Sequence, residues 1–352
     1  MMKGWKKGII SGLLFLAVGL SLSACAGTGS ASRNRGREFD GTFHLYVTMG
    51  EDDPRTIGAR DFAGLVEKYS KGKLHCEVAT GNILGSDVDL IKKMKQDTGE
   101  VDIFVASGAF FGEYTKEQEL EIAAMPYLLT DFDTAWAYAD SDLLKDFEKT
   151  LPEENMRILT HFCGGFRCIT NSKRPIVTPD DLEGLVIRTP SGSLVMDVLF
   201  DLGAKAMPLP FDELNDALKK GYYDGQENPP SIIYYNGLYE AQKYLSLTNH
   251  NYMIQNFTVA ESIWQQLSSE EQEIVARAAK EAAGRERLTV KEETEHCIRL
   301  LEEKGMQVNA PDLELFTEAT EDFRRKTSEK YKDAYALVKE WLAEYEMQQS
   351  AF

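Results

Sequence analysis

The stretch Leu185-Val-Ile-Arg-Thr-Pro190 sets an arginine at the end of an apolar run. Three consecutive apolar residues read as a buried strand, and the proline stops it, which leaves the guanidinium of Arg188 at the strand's carboxyl end. Arginine is almost never fully buried without a partner. Arg167, on a second strand Arg167-Cys-Ile-Thr, and Asn228, in Tyr223-Asp-Gly-Gln-Glu-Asn-Pro-Pro230, are its companions. In an open α/β sheet, ligands sit outside the carboxyl ends of strands. There a planar guanidinium matches a carboxylate with two parallel charge-assisted bonds. Spacing alone gives equal weight to an internal salt bridge from Arg188 to Glu183 or Asp181. Asn228 reads equally as a turn-former that satisfies local backbone ahead of the prolines.

Motifs for catalysis do not accompany these residues. The sequence has no GxSxG, no HExxH, no Walker loop and no GxGxxG after a strand. Ser70-Lys-Gly-Lys73 matches S-x-x-K formally, but it lies at a helix end and neither SDN nor KTG follows it. The 57 acidic residues single out no carboxylate pair for glycoside hydrolysis. The five histidines are dispersed, and Cys76, Cys163, Cys168 and Cys297 lack metal-ligand spacing. No metal site and no cofactor is expected. Cys163 and Cys168 read as buried thiols, with a bridge across Gly164-Gly165 as the alternative.

The elements that would hold the arginines alternate along the chain. Strands are expected at 43–49, 74–78, 101–105, 157–162, 167–170, 185–188 and 205–209, the last at a sheet edge because of Pro208. Helices are expected from the acidic turn Gly50-Glu-Asp-Asp-Pro54 to about Tyr69, from Ser86 or Asp87 to near Gly99, over 194–202 and over 212–220. Gly99-Glu-Val-Asp102 and Gly221-Tyr-Tyr-Asp224 make the same helix-to-strand junction, as two similar α/β units enclosing a cleft would. Ser268-Ser-Glu-Glu271 is a capping box. The helix it opens runs without proline to about Lys304, roughly 55 Å, long enough to brace two domains. A final amphipathic helix is expected over 312–346.

The N-terminus carries Lys3, Lys6 and Lys7, an apolar stretch from Ile9 to Leu20, and Leu22-Ser-Ala-Cys25. This order resembles a secretory signal ending in a bacterial lipobox, which implies cleavage before Cys25 and acylation of its thiol. Residues 25–40 form a Gly/Ser/Ala/Arg tether, with Arg33, Arg35 and Arg37 available to anionic headgroups. Removing residues 1–24 leaves 328 of 352 residues, and losing three lysines takes the formal charge from −18 to −21. So acidic a body, with no basic stripe, excludes nucleic acid as a partner.

Further matches gather around the arginines: Gly203-Ala, Met207-Pro, Phe211-Asp-Glu-Leu, Asp224-Gly-Gln-Glu-Asn-Pro229, Tyr239-Glu-Ala-Gln-Lys-Tyr244 and Leu247-Thr-Asn-His250. Leu84-Gly85, Met125-Pro-Tyr127 and Thr170-Asn171 with Arg174 precede them. In this order, from about Phe43 to Val308, they resemble the solute-binding proteins of tripartite ATP-independent periplasmic (TRAP) transporters, dicarboxylate type. The resemblance implies an α/β two-domain clamshell with a long helix bridging both lobes. One lobe would comprise 41–164 plus about 253–292, and the other 165–252 plus about 293–352, hinged near Gly164-Gly165 and Asn251.

It further implies a monomeric extracytoplasmic receptor without enzymatic activity, tethered through Cys25, that hands an organic anion to a membrane permease of two separate subunits. Arg188 would pair with the ligand carboxylate, assisted by Arg167 and Asn228. Glu51, Asp52, Asp53, Asn82 and Ser107 on the first lobe, and Tyr235 on the second, complete the expected site. Those first-lobe acceptors favour a hydroxylated monocarboxylate, a uronate or aldonate, over a C4-dicarboxylate. Arg55 or Arg60 turning inward would favour the dicarboxylate. A sensor presenting its closed form to a signalling receptor and an enzyme acting on sugar acids are the competing readings.

Overall fold

The computed structural model describes residues 37–190 and 194–350. Cys25 and the signal and tether residues up to 36 lie outside the described residues. One mixed sheet of nine strands organises the chain: β1 (Thr42–Val47), β2 (His75–Thr80), β3 (Ile103–Ser107), β4 (Met156–Asn171), β5 (Val186–Thr189), β6 (Lys205–Pro208), β7 (Gly225–Asn228), β8 (Tyr244–Ala260) and β9 (Gln307–Asn309). Their order is β2-β1-β3-β8-β4-β7-β5-β6, with β9 beside β8. The strand carrying Pro208 is at the edge, as expected.

β4 and β8 are 16 and 17 residues long and pair antiparallel along their length. Around one end of this pair, β1 to β3 and the helix Pro54–Ser70 build a core in which Phe62 and Phe162 each pack on Phe257. Around the other end, β5 to β7 carry a core on each face. Ile169 and Ile187 point to one, Cys168 and Val186 to the other, following the two-residue alternation of a strand. Positions 157–162 and 167–170, expected as separate strands, are both β4. Gly164-Gly165 does not end the strand; the register shifts between Cys163 and Gly165, and Gly165 takes φ +90°. Such a strand separates residues five apart by about 16 Å, far beyond disulfide reach, and Cys163 and Cys168 are free thiols.

The repeated junction has a physical content. Asp102 donates its N–H to the carbonyl of His44 and accepts the His44 N–H on its carboxylate at 2.8 Å. Asp224 makes the same pair of bonds with Val186. Each aspartate thus fastens an entering strand to its parallel neighbour, once in each half.

The long helix Ser269–Glu303 is unbroken over 35 residues, opened by the Ser268/Glu271 capping box. It grips β4 beside the register shift. Glu286 accepts the Cys163 N–H at 2.8 Å, and Arg287 donates twice to the His161 carbonyl while pairing with Asp140. The C-terminal segment departs from expectation. It forms three helices, Leu313–Ala319, Glu321–Lys330 and Lys332–Ser350. Thr320 Oγ1 donates to the Phe316 and Thr317 carbonyls, a local bond that competes with helix continuation. Phe316 and Phe323 join the second-lobe core, but Val338 and Leu342 return to the first, where Trp341 meets Tyr138 at 5.5 Å. The chain's end therefore does not belong wholly with residues 165–252.

Candidate ligand-binding site

A cavity of about 320 Å³ opens where the two sets of cores face each other. Arg188, Arg167 and Asn228 line it from β5, β4 and β7, and Asn82 and Ser107 line it from the first lobe. β7 lies between the strands of the two arginines, so Asn228 is their immediate neighbour rather than an isolated turn residue.

Arg188 is 2% exposed. Its Nε and Nη2 donate to the Leu209 carbonyl at 2.8 and 2.6 Å, and the Phe211 ring lies 5.8 Å away. No carboxylate among the described residues forms an ion pair with it. Asp181 instead caps the turn at Thr178, so the internal salt bridge is absent. Burial pulls the guanidinium pKa down to about 10, with Glu227 at longer range opposing, so the group stays charged at neutral pH.

Arg167 is held differently. Its Nε and Nη2 grip both oxygens of Glu227, Nη2 also donates to the Glu227 carbonyl, and Nη1 lies 3.0 Å from the Met253 sulfur. His250 Nε2 stands 3.4 Å from the same carboxylate. Burial works to raise the Glu227 pKa, but Arg167 and His250 outweigh it and the group ends below its ordinary value. A relay from Asn228 Nδ2 to Gln226, then Thr170, then Gln242 fixes the asparagine amide and leaves its second proton free for a ligand.

Four expected residues, the exposed Asp52 among them, are not in the cavity. Asp53 caps the helix Pro54–Ser70 and accepts the Arg55 N–H, Nε and Nη2 between 2.8 and 2.9 Å. Glu51 is exposed and holds Arg60 and Thr80. Tyr235 donates to Glu293 at 2.7 Å. The acidic turn is thus consumed by its own helix and by arginines.

Residues that sequence reasoning left out replace them. Asp87 lines the wall, accepting from Thr48 Oγ1 at 2.5 Å, and burial raises its pKa. Met253 and Gln255 form the floor on β8, and Phe211 covers Arg188; of the two arginines weighed for a dicarboxylate, Arg55 lines the cavity while bound to Asp53, and Arg60 does not. Asp87 was legible as a cap beside Ser86, but a capping position carries no signal of a cavity. Among the described residues no cluster of His, Cys, Asp and Glu could hold a metal, and no helix is long and apolar enough to cross a membrane.

Comparison with known proteins gives this cavity its context. The model of bacterial extracellular solute-binding protein, family 7, matches residues 46–335. The chain belongs to that family. A 31% identical, uncharacterised protein of Sinorhizobium fredii aligns over 76% of this chain, which spans about half (49%) of that relative's length. The sialic acid-binding periplasmic protein SiaP of Vibrio cholerae is 30% identical over 85% of this chain and 89% of its own. Among solved structures, the sugar acid binding protein of Advenella mimigardefordensis, in complex with galactonate, superposes with a TM-score of 0.81. It is 27% identical, covering 88% of this chain and 99% of that one. A TRAP periplasmic solute-binding protein of Polaromonas, bound to D-erythronate, gives 0.80 at 28% identity over 84% and 97%. This family 7 chain has the α/β two-lobe fold of TRAP solute-binding proteins, and the family consists of extracytoplasmic receptors.

Proposed function

We propose that this family 7 protein captures a hydroxylated monocarboxylate, of the uronate or aldonate class, and delivers it to a TRAP permease without chemical change. The observation that carries the reading is Arg188: a buried guanidinium, free of any carboxylate partner, facing a cavity. Leaving such a charge uncompensated costs free energy, and a ligand carboxylate relieves that cost. Arg167, already neutralised by Glu227, orients that carboxylate with its remaining N–H, and Asn228 adds a neutral donor. The opposite wall offers hydroxyl, amide and carboxylate groups from Thr48, Asn82, Asp87 and Ser107, which suit ligand hydroxyls. A second ligand carboxylate would meet Arg55, whose Nε and Nη2 are committed to Asp53, or Lys92, whose Nζ lies over the Tyr114 ring, and would lie near Asp87. The galactonate and D-erythronate held by relatives agree with this preference.

A thermal-shift panel tests it. A ligand at about 100 times its Kd stabilises the fold by ~2.7 kcal/mol. Upshifts are expected with galactonate, D-galacturonate, D-glucuronate or D-erythronate. Upshifts with succinate, malate or fumarate alone would reverse the assignment. Tethering through Cys25, inferred from Leu22-Ser-Ala-Cys25, has its own test: Cys25→Ser should release the protein from washed membranes, and a variant still membrane-bound at high salt rejects the anchor.

A further inference from the structure

β8 presents Met253 and Gln255 to the cavity from the same face, two residues apart. Met253 marks the carboxylate end, because its sulfur touches Arg167. Gln255 stands one strand repeat further into the first lobe, about 7 Å along β8, paired in register with Ser107 of β3 and Phe162 of β4. Beyond it the same stretch of strand enters the Phe62–Phe162–Phe257 core. Its position is therefore the inner end of the floor, away from the arginines.

The side chain is 1% exposed, and neither Nε2 nor Oε1 has a hydrogen-bond partner. Three other buried amides near the site are engaged: Gln226 donates to Thr170, Asn228 donates to Gln226, and Gln242 accepts from Thr170. An unsatisfied buried polar group is costly, and here both halves of one amide are left unpaired in a residue that lines the cavity. The chemistry of that pair restricts what can satisfy it. A carboxylate accepts only and would leave Oε1 unmet. An ammonium donates only and would leave Nε2 unmet. A methylene serves neither. A hydroxyl donates and accepts at once, and adjacent hydroxyls can divide the two tasks between them.

We infer that Gln255 is a specificity-determining residue that reads a hydroxyl on the ligand chain remote from the carboxylate. The inference rests on the monocarboxylate reading above and adds to it a position: the cavity discriminates at the inner end of the ligand, through an amide, while the arginines recognise the carboxylate end common to all such acids. The cost of a mismatch is then a stranded buried amide, which makes discrimination sharper than a lost contact alone.

A cycle between protein and ligand tests this. The probe is whichever of galactonate, D-galacturonate, D-glucuronate and D-erythronate binds the wild-type chain most tightly by calorimetry, together with its mono-deoxy analogues. Gln255→Met keeps the length of the side chain and removes both polar atoms. It should weaken binding of the parent acid about 10- to 100-fold. One mono-deoxy analogue should lose a similar factor against wild type and lose nothing further against Gln255→Met. Penalties that simply multiply for every analogue, or native affinity in Gln255→Met, overturn the role of Gln255 while leaving the monocarboxylate reading intact. If wild type binds none of the four acids, that reading falls and this inference with it. Gln255→Glu provides the folding control, since it preserves shape and an acceptor. It should bind the parent acid more weakly than wild type, and undiminished binding also overturns the proposal.

Discussion

Arg167 and Arg188 sit two strands apart in one cavity, are nearly equally buried, and live in opposite electrostatic surroundings. Around Arg167 the protein supplies a carboxylate, a carbonyl and a thioether; around Arg188 it supplies one carbonyl and an aromatic face. The first arginine is part of the folded structure's own charge balance. The second has no carboxylate partner among the described residues and donates to a carbonyl instead. Identical side chains at similar depth therefore stand in different states of charge balance, and on the proposed function the ligand provides the anion that the second one lacks.

The largest effect should come from breaking the internal pair. Arg167→Ala leaves Glu227 buried without its principal partner and should destabilise the fold by ~3–5 kcal/mol, read by urea denaturation. Removing both charges together, Arg167→Met with Glu227→Leu, should recover most of that loss. A single variant as stable as wild type would show that His250 alone can hold Glu227. Arg188→Ala should behave in the opposite sense. Stability without ligand should hold or rise, because a desolvated cation is lost, while affinity for the ligand acid falls by ~2–4 kcal/mol, roughly 30- to 1,000-fold. Arg188→Lys should recover little, since a point charge lacks the planar fork. Near-native affinity in a folded Arg188→Ala would end its claim to the carboxylate.

Glu286 extends the comparison to a buried acid. One oxygen holds the Cys163 N–H, the other has no partner, and burial raises the pKa from the ordinary 4.5 to about 8 despite the nearby Arg55 and Arg287. The folded chain thus keeps a proton that the unfolded chain has released. Stability should fall as pH rises through the interval between those two values. Glu286→Gln should flatten that slope and add on the order of 2 kcal/mol at pH 7. A denaturation series from pH 5 to 8 checks it, and equal slopes in variant and wild type would reject the assignment.

What the sequence disclosed follows from how locally each feature is written. Arg188 was legible because an apolar triplet, an arginine and a proline form a self-contained pattern. The long helix was legible because its capping box and composition are continuous. Gln255 lies in Tyr252-Met-Ile-Gln-Asn-Phe-Thr-Val259, where two polar residues break an apolar run without saying which face is a cavity; only the sheet decides. Glu51 and Asp53 misled because a turn at a strand's end is where ligand contacts collect, and equally where a helix needs a cap. The last helix read as one because amphipathic spacing persists through Thr320 and Tyr331, and the bend is imposed by local hydrogen bonding and by two cores competing for the segment.

The paired strands β4 and β8 carry a consequence for how this chain reaches its native state. They join Met156 to Ala260 and Asn171 to Tyr244, residues 104 and 73 positions apart. Neither lobe is a continuous stretch of chain, so neither core can be completed until partners far along the sequence have met. Topologies dominated by such distant pairings fold slowly, because loop-closure entropy is lost before the contacts that compensate it can form. The same strands that join the two lobes also deny them independent folding.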